Sequence, residues 1–473
     1  FFFKQKTAYE IKECDWSSDV CSSDLEGLHP MSFIAPRMDR IKPSPSSMAT
    51  MRVRELQLAG RKVIGLTVGE PDFDTSPNIL DASIRALKSG HTRYTNVDGT
   101  PELKDAVALK FKRENGLVYS RDEITCANGS KQVIFNALMA TVAAGDEVIL
   151  PAPYYVSYPD MVQLAGGTPV FVDCPEENGF KLKAADLERA ITPKTKWFML
   201  NSPCNPTGAV YTAQDLKPLT DVLKRHPHVW ILTDEVYEHI VYDGLKSASP
   251  AEVEPALIHR TLTVNGVSKA YAMTGFRIGY AGGPKELIKT IMKMQSQSTT
   301  NPSSISQMAA IEALTGPQDF LAERAENFRA RRDLVVRMLN EASGITCRTP
   351  EGAFYVFANV SGVIGKFTAD GKQIKSDQDF VLYLLDAAEV GVLSAYMPQQ
   401  LGESEIDAEV AAAMGAHAVR IRKVEDIGPA IKAAFASGKA AVVEIDVDPK
   451  ALNEPYRRDA LKLPRSVMER YAR

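Results

Sequence analysis

Lys269 and Arg277 lie eight residues apart in the run Val264-Asn-Gly-Val-Ser-Lys-Ala-Tyr-Ala-Met-Thr-Gly-Phe-Arg-Ile-Gly279, where small residues fill much of the space between them. A lysine amine that forms a Schiff base with an aldehyde needs such a setting: a strand end, little surrounding bulk, and a fixed cation nearby to hold a phosphate. Asn128-Gly-Ser-Lys-Gln132 reads as the opening of a helix. There a glycine followed by a serine offers backbone N–H groups and a hydroxyl to a phosphate, although in isolation a plain N-cap is the commoner reading. Asp234, in Thr233-Asp-Glu-Val-Tyr-Glu-His239, closes another apolar run. Alone it reads as a helix N-cap, yet it has the type and place of a carboxylate that keeps a pyridine nitrogen protonated. Asn201-Ser-Pro-Cys-Asn-Pro-Thr-Gly208 reads alone as a turn.

The elements that must position these groups follow from the spacing of apolar residues. Glu147-Val-Ile-Leu150, Val170-Phe-Val172, Trp197-Phe-Met-Leu200, Val229-Trp-Ile-Leu-Thr233 and Leu262-Thr-Val264 are short apolar runs bounded by Pro, Asn, Asp or Gly, the pattern of buried strands. Between them, Leu103, Val107 and Phe111 recur every four residues, and Val133, Ile134, Ala137, Leu138 and Val142 share one helical face. Alternating strands and helices predict a mainly parallel α/β sheet. In such sheets ligands bind beyond the C-terminal strand ends, where the residues above fall. Glu351-Gly-Ala-Phe-Tyr-Val-Phe357 reads as a strand of a smaller second domain.

Taken together, in this order and spacing, the blocks resemble pyridoxal-phosphate-dependent aminotransferases of class I/II, and within them the aspartate aminotransferases of the Ib-like subgroup, over about residues 31–394. Gly69-Glu-Pro-Asp-Phe-Asp-Thr75, the run around Tyr94 and Tyr154-Tyr-Val-Ser-Tyr158 extend the match. The resemblance implies fold type I, an α/β fold in which a large domain carries a mainly parallel seven-stranded sheet between helices, with a smaller α+β domain beside it. It implies an N-terminal part of the small domain at 31–75, the large cofactor-binding domain at 76–330, and the C-terminal part of the small domain at 331–394. It implies that Lys269 attaches pyridoxal 5'-phosphate and shuttles a proton, that Asp234 pairs with the ring nitrogen, and that Tyr237 and Asn205 hydrogen-bond the phenolic oxygen. Tyr155 would stack on the ring, and Gly129, Ser130 and Arg277 would hold the phosphate. Tyr94 would reach the phosphate of a neighbouring subunit across a two-fold dimer. Gly69 would line the substrate pocket, with Lys131 and Ser46 recognising a distal carboxylate. His239 is expected to be structural, because a lysine already moves the proton. The implied reaction transfers an amino group from an L-amino acid, aspartate or glutamate, to a 2-oxo acid by a ping-pong mechanism. Another enzyme of the same fold, a C–S lyase or synthase, or a cofactor-binding chimera with impaired turnover, is left open.

Composition sets the boundaries of that reading. With 473 residues, 45% hydrophobic and 24% charged, the chain has room for two cores. A net charge of -4 with interleaved signs gives no reason to expect nucleic acid or an anionic membrane as partner. No apolar run approaches the roughly 20 residues of a membrane span. Cys14, Cys21, Cys126, Cys174, Cys204 and Cys347 show no metal or disulfide spacing, which points to no metal and a cytoplasmic home. Residues 1–30 lack periodicity and read like translated adapter sequence, a non-native leader or else a disordered native extension, before a natural-looking start at Met31. From about residue 395 the text resembles the C-terminal end of thiamine-diphosphate enzymes of the sulfoacetaldehyde acetyltransferase type, without their Gly-Asp-Gly motif, so that cofactor is not implied. The chain also departs from the aminotransferase pattern after Gly391-Val-Leu-Ser394, where relatives carry the arginine that clamps the substrate α-carboxylate. Arg420, in Val419-Arg-Ile-Arg422, comes too late and is not carried over to that role.

Overall fold

The computed structural model describes residues 33–43, 45–394, 417–421 and 441–445. An N-terminal helix α1 (Pro45–Leu58) leads into a two-residue strand β1 (Ile64–Gly65), and α2 (Pro77–Lys88) and α3 (Pro101–Asn115) follow. Thr100 caps α3 by accepting from the Leu103 N–H, Pro101 fills its first turn, and Gly116 ends it in the left-handed region. Leu103, Val107 and Phe111 are fully buried on it, as their spacing predicts.

Seven strands then build the main sheet: β2 (Ile124–Ala127), β3 (Glu147–Ala152), β4 (Thr168–Asp173), β5 (Thr195–Asn201), β6 (Trp230–Asp234), β7 (Thr261–Gly266) and β8 (Gly279–Gly282). Their order is β2-β8-β7-β6-β5-β3-β4. β4, β3, β5, β6 and β7 run parallel, whereas β8 is antiparallel to both β7 and β2. The five apolar runs of the sequence are therefore the parallel strands. β2 and β8 escape the same reading: they are four residues each, and β8 is Gly-Tyr-Ala-Gly. The helices α4 (Ser130–Thr141) and α5 (Ser157–Leu164) follow β2 and β3. Val133, Ile134, Ala137 and Leu138 of α4 pack with Val148, Leu150, Leu232, Leu262 and Val264 of the sheet in one core, and Ile149, Phe198 and Ile231 belong to a second. Alternate strand residues thus serve opposite faces, as the pleat requires.

A smaller core joins distant parts of the chain. Val53, Leu56, Val63 and Leu385 cluster, and β1 pairs in parallel with Val390–Gly391. Arg61 ties the same regions together through Glu389 (3.2 Å) and the Asp386 carbonyl (2.9 Å). Glu351–Phe357 corrects the strand reading. The segment is irregular, with Ala353 at φ 55° and only an isolated bridge from Gly352 to Val241. A left-handed residue cannot continue an extended run, and the bend turns Phe354 and Tyr355 onto the core of the larger unit. Contacts divide the chain between Met397 and Pro398. In the second unit the described residues form a parallel pair, His417–Ile421 with Ala441–Ile445.

Candidate active site

The chemistry-bearing residues meet at the C-terminal ends of β5, β6 and β7. Asn201 and Asp234 end β5 and β6 in register. The Asn201 amide donates to the Asp234 carbonyl (2.9 Å) and its own oxygen accepts the Asn205 N–H (2.7 Å), so the loop carrying Asn205 is held to the strand that carries Asp234. The Asp234 side chain is buried (7% exposed) and accepts from the Tyr158 hydroxyl at 2.7 Å. Burial raises this carboxyl above the usual carboxylate range, while the Tyr158 hydrogen bond, the Val236 N–H and the charge of Lys269 oppose the shift. Among the described residues no cation lies within ion-pair distance of it, so this buried carboxylate has room for a cationic N–H from a bound molecule.

Lys269 stands three residues beyond β7. Its ammonium donates to the Gly69 carbonyl and lies 5.9 Å from the ring centres of both Tyr237 and Phe354. Burial pulls its pKa down from 10.5 to about 8, and the positive charge of Arg277 adds to the effect. Such an amine is far more often neutral, hence nucleophilic, than an exposed lysine.

The anion cradle is built from backbone as much as from side chains. Gly129 precedes α4 at φ 90°, and a Cβ there would lie 2.4 Å from the Arg277 Nη2. At Gly279 a Cβ would lie 2.0 Å from the Ser130 nitrogen. Gly279 therefore requires glycine for the close approach of two backbones, and Gly129 for its positive φ and the guanidinium packed against it. Arg277 itself has φ 56°, and its Nη1 donates to the Thr274 carbonyl at 2.9 Å, which fixes the guanidinium beside the first turn of α4. The Ser130 hydroxyl, at that same N-terminus, donates to the Asn265 carbonyl (2.8 Å). A helix N-terminus with a guanidinium beside it is suited to a phosphate dianion, and the Ser130 hydroxyl could join them on turning from the Asn265 carbonyl.

Tyr155 lies edge-on to Tyr158 (5.5 Å between centres), and the Lys131 ammonium sits 5.3 Å from its ring centre, a cation–π distance. The Tyr237 hydroxyl is 2.6 Å from that of Tyr355. Ser46 sits half-buried in the first turn of α1, its carbonyl accepting from Thr50 (2.7 Å). Tyr94 lies at the surface, 89% exposed. His239 belongs to a partly buried ionic cluster, 2.9 Å from Glu114 and with Glu238 and the buried Lys110 in the same group. Glu114, Glu238 and His239 lie close enough together to ligate a metal, and the Lys110 ammonium pairs with both carboxylates there.

Two tyrosines of this site carry no role in the sequence reading. Tyr158 had a usable signal, since it belongs to the same aromatic block as Tyr155 and its N–H bonds the Tyr155 carbonyl (3.0 Å) as the chain turns into α5. Tyr355 had none: its block has the pattern of a strand, and only the bend at Ala353 aims it here. Arg420 belongs to the strand His417–Ile421, and its side chain lies outside the described residues, as do residues 1–32 and the rest of the text after 394.

The family described as Aminotransferase class I and II matches residues 61–406. The chain is 58% identical over 363 residues to the aspartate/prephenate aminotransferase of Cereibacter sphaeroides, covering 77% of this chain and 91% of that protein. It is 56% identical over 359 residues to an aspartate aminotransferase of Rhizobium meliloti, covering 76% and 88%. Among solved structures, the aspartate aminotransferase from Rhizobium meliloti superposes with a TM-score of 0.75 at 53% identity, covering 81% of this chain and 97% of that one. The Thermus thermophilus aspartate aminotransferase with maleate gives 0.72 at 41%, covering 77% and 92%. These matches give no support to the thiamine-diphosphate resemblance drawn for 395–473, and the family match runs past residue 395 without a break there.

Proposed function

The chain belongs to the class I and II aminotransferases, and we propose that it exchanges amino groups between aspartate or glutamate and a 2-oxo acid, prephenate-type acceptors included, using pyridoxal 5'-phosphate held at Lys269. The observation that carries this reading is the buried Lys269 amine, its pKa drawn to about 8, in one site with the buried Asp234 carboxyl. The names of the relatives support the substrate class. The glycine-lined cradle at Gly129 and Gly279, with no room for a Cβ, and the buried carboxyl of Asp234, without an ion-pair partner among the described residues, support the fit of the cofactor.

Pyridoxal phosphate, when bound, supplies an aldehyde that condenses with amines and a protonated ring that draws electron density from the substrate Cα. Each protein group then has a task. Asp234 would hold the proton on the ring nitrogen, with Tyr158 holding Asp234. Tyr237 and Asn205 would donate to the phenolic oxygen, and Tyr155 would cover the ring face. Gly129, Ser130 and Arg277 would bind the phosphate. Lys269 would bind the aldehyde carbon at rest and, once displaced by substrate, would remove and return the Cα proton, its lowered pKa matching that work near neutral pH. Lys131 and Ser46 would receive the distal carboxylate, and Gly69 would border the substrate. Tyr94 would reach the phosphate held by a second copy of the chain, which makes a homodimer the working unit. No described helix is long and apolar enough to cross a membrane. The four described cysteines are free and buried, which supports a reducing cytoplasm as the compartment.

The test is to add pyridoxal phosphate, record visible absorption, then add aspartate and watch it bleach, with 2-oxoglutarate restoring it. Absorption missing in the wild type, or unchanged in Lys269→Ala, rejects the cofactor assignment. Release of ammonia and pyruvate from cysteine or its conjugates, without transamination, would favour a lyase instead.

A further inference from the structure

Resting on that reading of the site, we propose that Tyr355 is a positioning residue that sets the direction in which Tyr237 donates its proton. The Tyr237 and Tyr355 hydroxyls lie 2.6 Å apart, a full hydrogen bond between two groups that each can donate one proton. Their rings meet edge to face, 5.6 Å between centres, and Phe354 meets Tyr237 at the same distance and angle, so neither phenol has freedom to turn away. The Tyr355 hydroxyl is confined on its other side. A Cβ at Gly69 would stand 2.5 Å from it, and the Gly69 carbonyl holds the Lys269 ammonium. Gly69 thus makes room for Tyr355 rather than for substrate alone.

Two proton arrangements are open to this pair. If Tyr237 donates to Tyr355, it turns only lone pairs toward the phenolic oxygen of the cofactor, and two oxygens rich in electrons face one another. If Tyr355 donates to Tyr237, the Tyr237 proton is free for that oxygen, and the two hydrogen bonds run in one direction and strengthen each other. The second arrangement stabilises negative charge on the ring oxygen, and that charge governs how tightly the nearby Lys269 nitrogen holds its proton once it is attached to the cofactor. Tyr355 comes from the bent segment after Ala353, so its placement also makes this property depend on a part of the chain remote in sequence from β6 and β7.

The experiment uses the full chain loaded with pyridoxal phosphate and follows the pH midpoint of its visible absorption, which reads only the loaded, folded fraction. Tyr237→Phe should raise the midpoint, because the ring oxygen loses its donor. Tyr355→Phe should raise it by about half a pH unit, a fraction of one charge-assisted hydrogen bond. In the Tyr237→Phe background, Tyr355→Phe should add nothing. An unchanged midpoint in the single Tyr355→Phe variant overturns the proposal, even if that variant loses thermal stability. A further shift of the same size when Tyr355→Phe is added to Tyr237→Phe overturns it too, since Tyr355 would then act without Tyr237. Absence of any absorption in the wild type takes down the cofactor reading and this inference with it.

Discussion

Replacing Lys269 by methionine should stabilise the cofactor-free protein, and the gain should fade as pH rises. The side chains are similar in length and volume, so packing changes little. Electrostatics changes a great deal. The amine has a pKa of about 8 in the fold against 10.5 as a free side chain, with burial the leading cause. Because the folded value is the lower one, the unfolded chain binds more protons than the folded chain between those two values, and stability of the wild type climbs with pH across that window. Below about pH 8 both states are protonated and the folded protein carries the full cost, about 3 kcal/mol at pH 7 from the difference of 2.5 units. At pH 9.5 the remaining cost is about 1 kcal/mol by the same linkage relation. Lys269→Met should therefore exceed the wild type by up to about 3 kcal/mol at pH 7, less whatever the Gly69 hydrogen bond contributes, and the gap should narrow by about 2 kcal/mol at pH 9.5. Urea unfolding of both proteins, stripped of cofactor and at one protomer concentration, measures it. A gap that is constant or widens with pH would refute the claim that the fold holds this amine partly desolvated.

Three further perturbations follow from the same geometry. Gly129→Ala forces a Cβ to 2.4 Å from the Arg277 guanidinium at φ 90°, and strain of about 1–3 kcal/mol should weaken pyridoxal phosphate binding at least about fivefold in an absorbance titration. Gly60→Ala, with φ 87° and open space around it, should leave binding unchanged, and equal losses in the two would count against a cradle. Tyr158→Phe removes the hydroxyl that favours the charged form of Asp234, so cofactor affinity should fall about tenfold and fall further as pH drops; a pH-independent affinity equal to wild type contradicts the role. Lys110→Met strips the ammonium from buried Glu238 and from Glu114, whose pKa is held to about 2 despite burial by the His239 hydrogen bond and the Lys110 charge. Chemical denaturation should show a loss of about 3–5 kcal/mol, and a loss under about 1 kcal/mol would mean the cluster is not a buried ionic unit.

The sequence by itself determined the parts whose signals are local. Apolar runs at Glu147, Val170, Trp197, Val229 and Leu262 became the five parallel strands; the inner ones are apolar because a strand buried on both faces must be so throughout, while β4, at the sheet edge, is only half-buried. Lys269, Asp234, Gly129, Ser130 and Arg277 fall at strand ends and at a helix start, places that periodicity and turn chemistry mark out in one dimension. What the tertiary structure decided is what depends on distance between segments far apart in the chain. Glycine at 279 is explained only by the approach of two backbones, glycine at 129 by its positive φ and the Arg277 guanidinium against it, and the lowered pKa of Lys269 by its burial beside Arg277. The antiparallel strand β8 gave no apolar run, since Gly279 serves that same approach and Gly282 makes room for the Tyr119 ring. Tyr355 was read as part of a strand, and a single left-handed residue at Ala353 sends it to Tyr237 instead. One dihedral angle leaves no periodic trace in a sequence, yet it decides which hydroxyl stands against which.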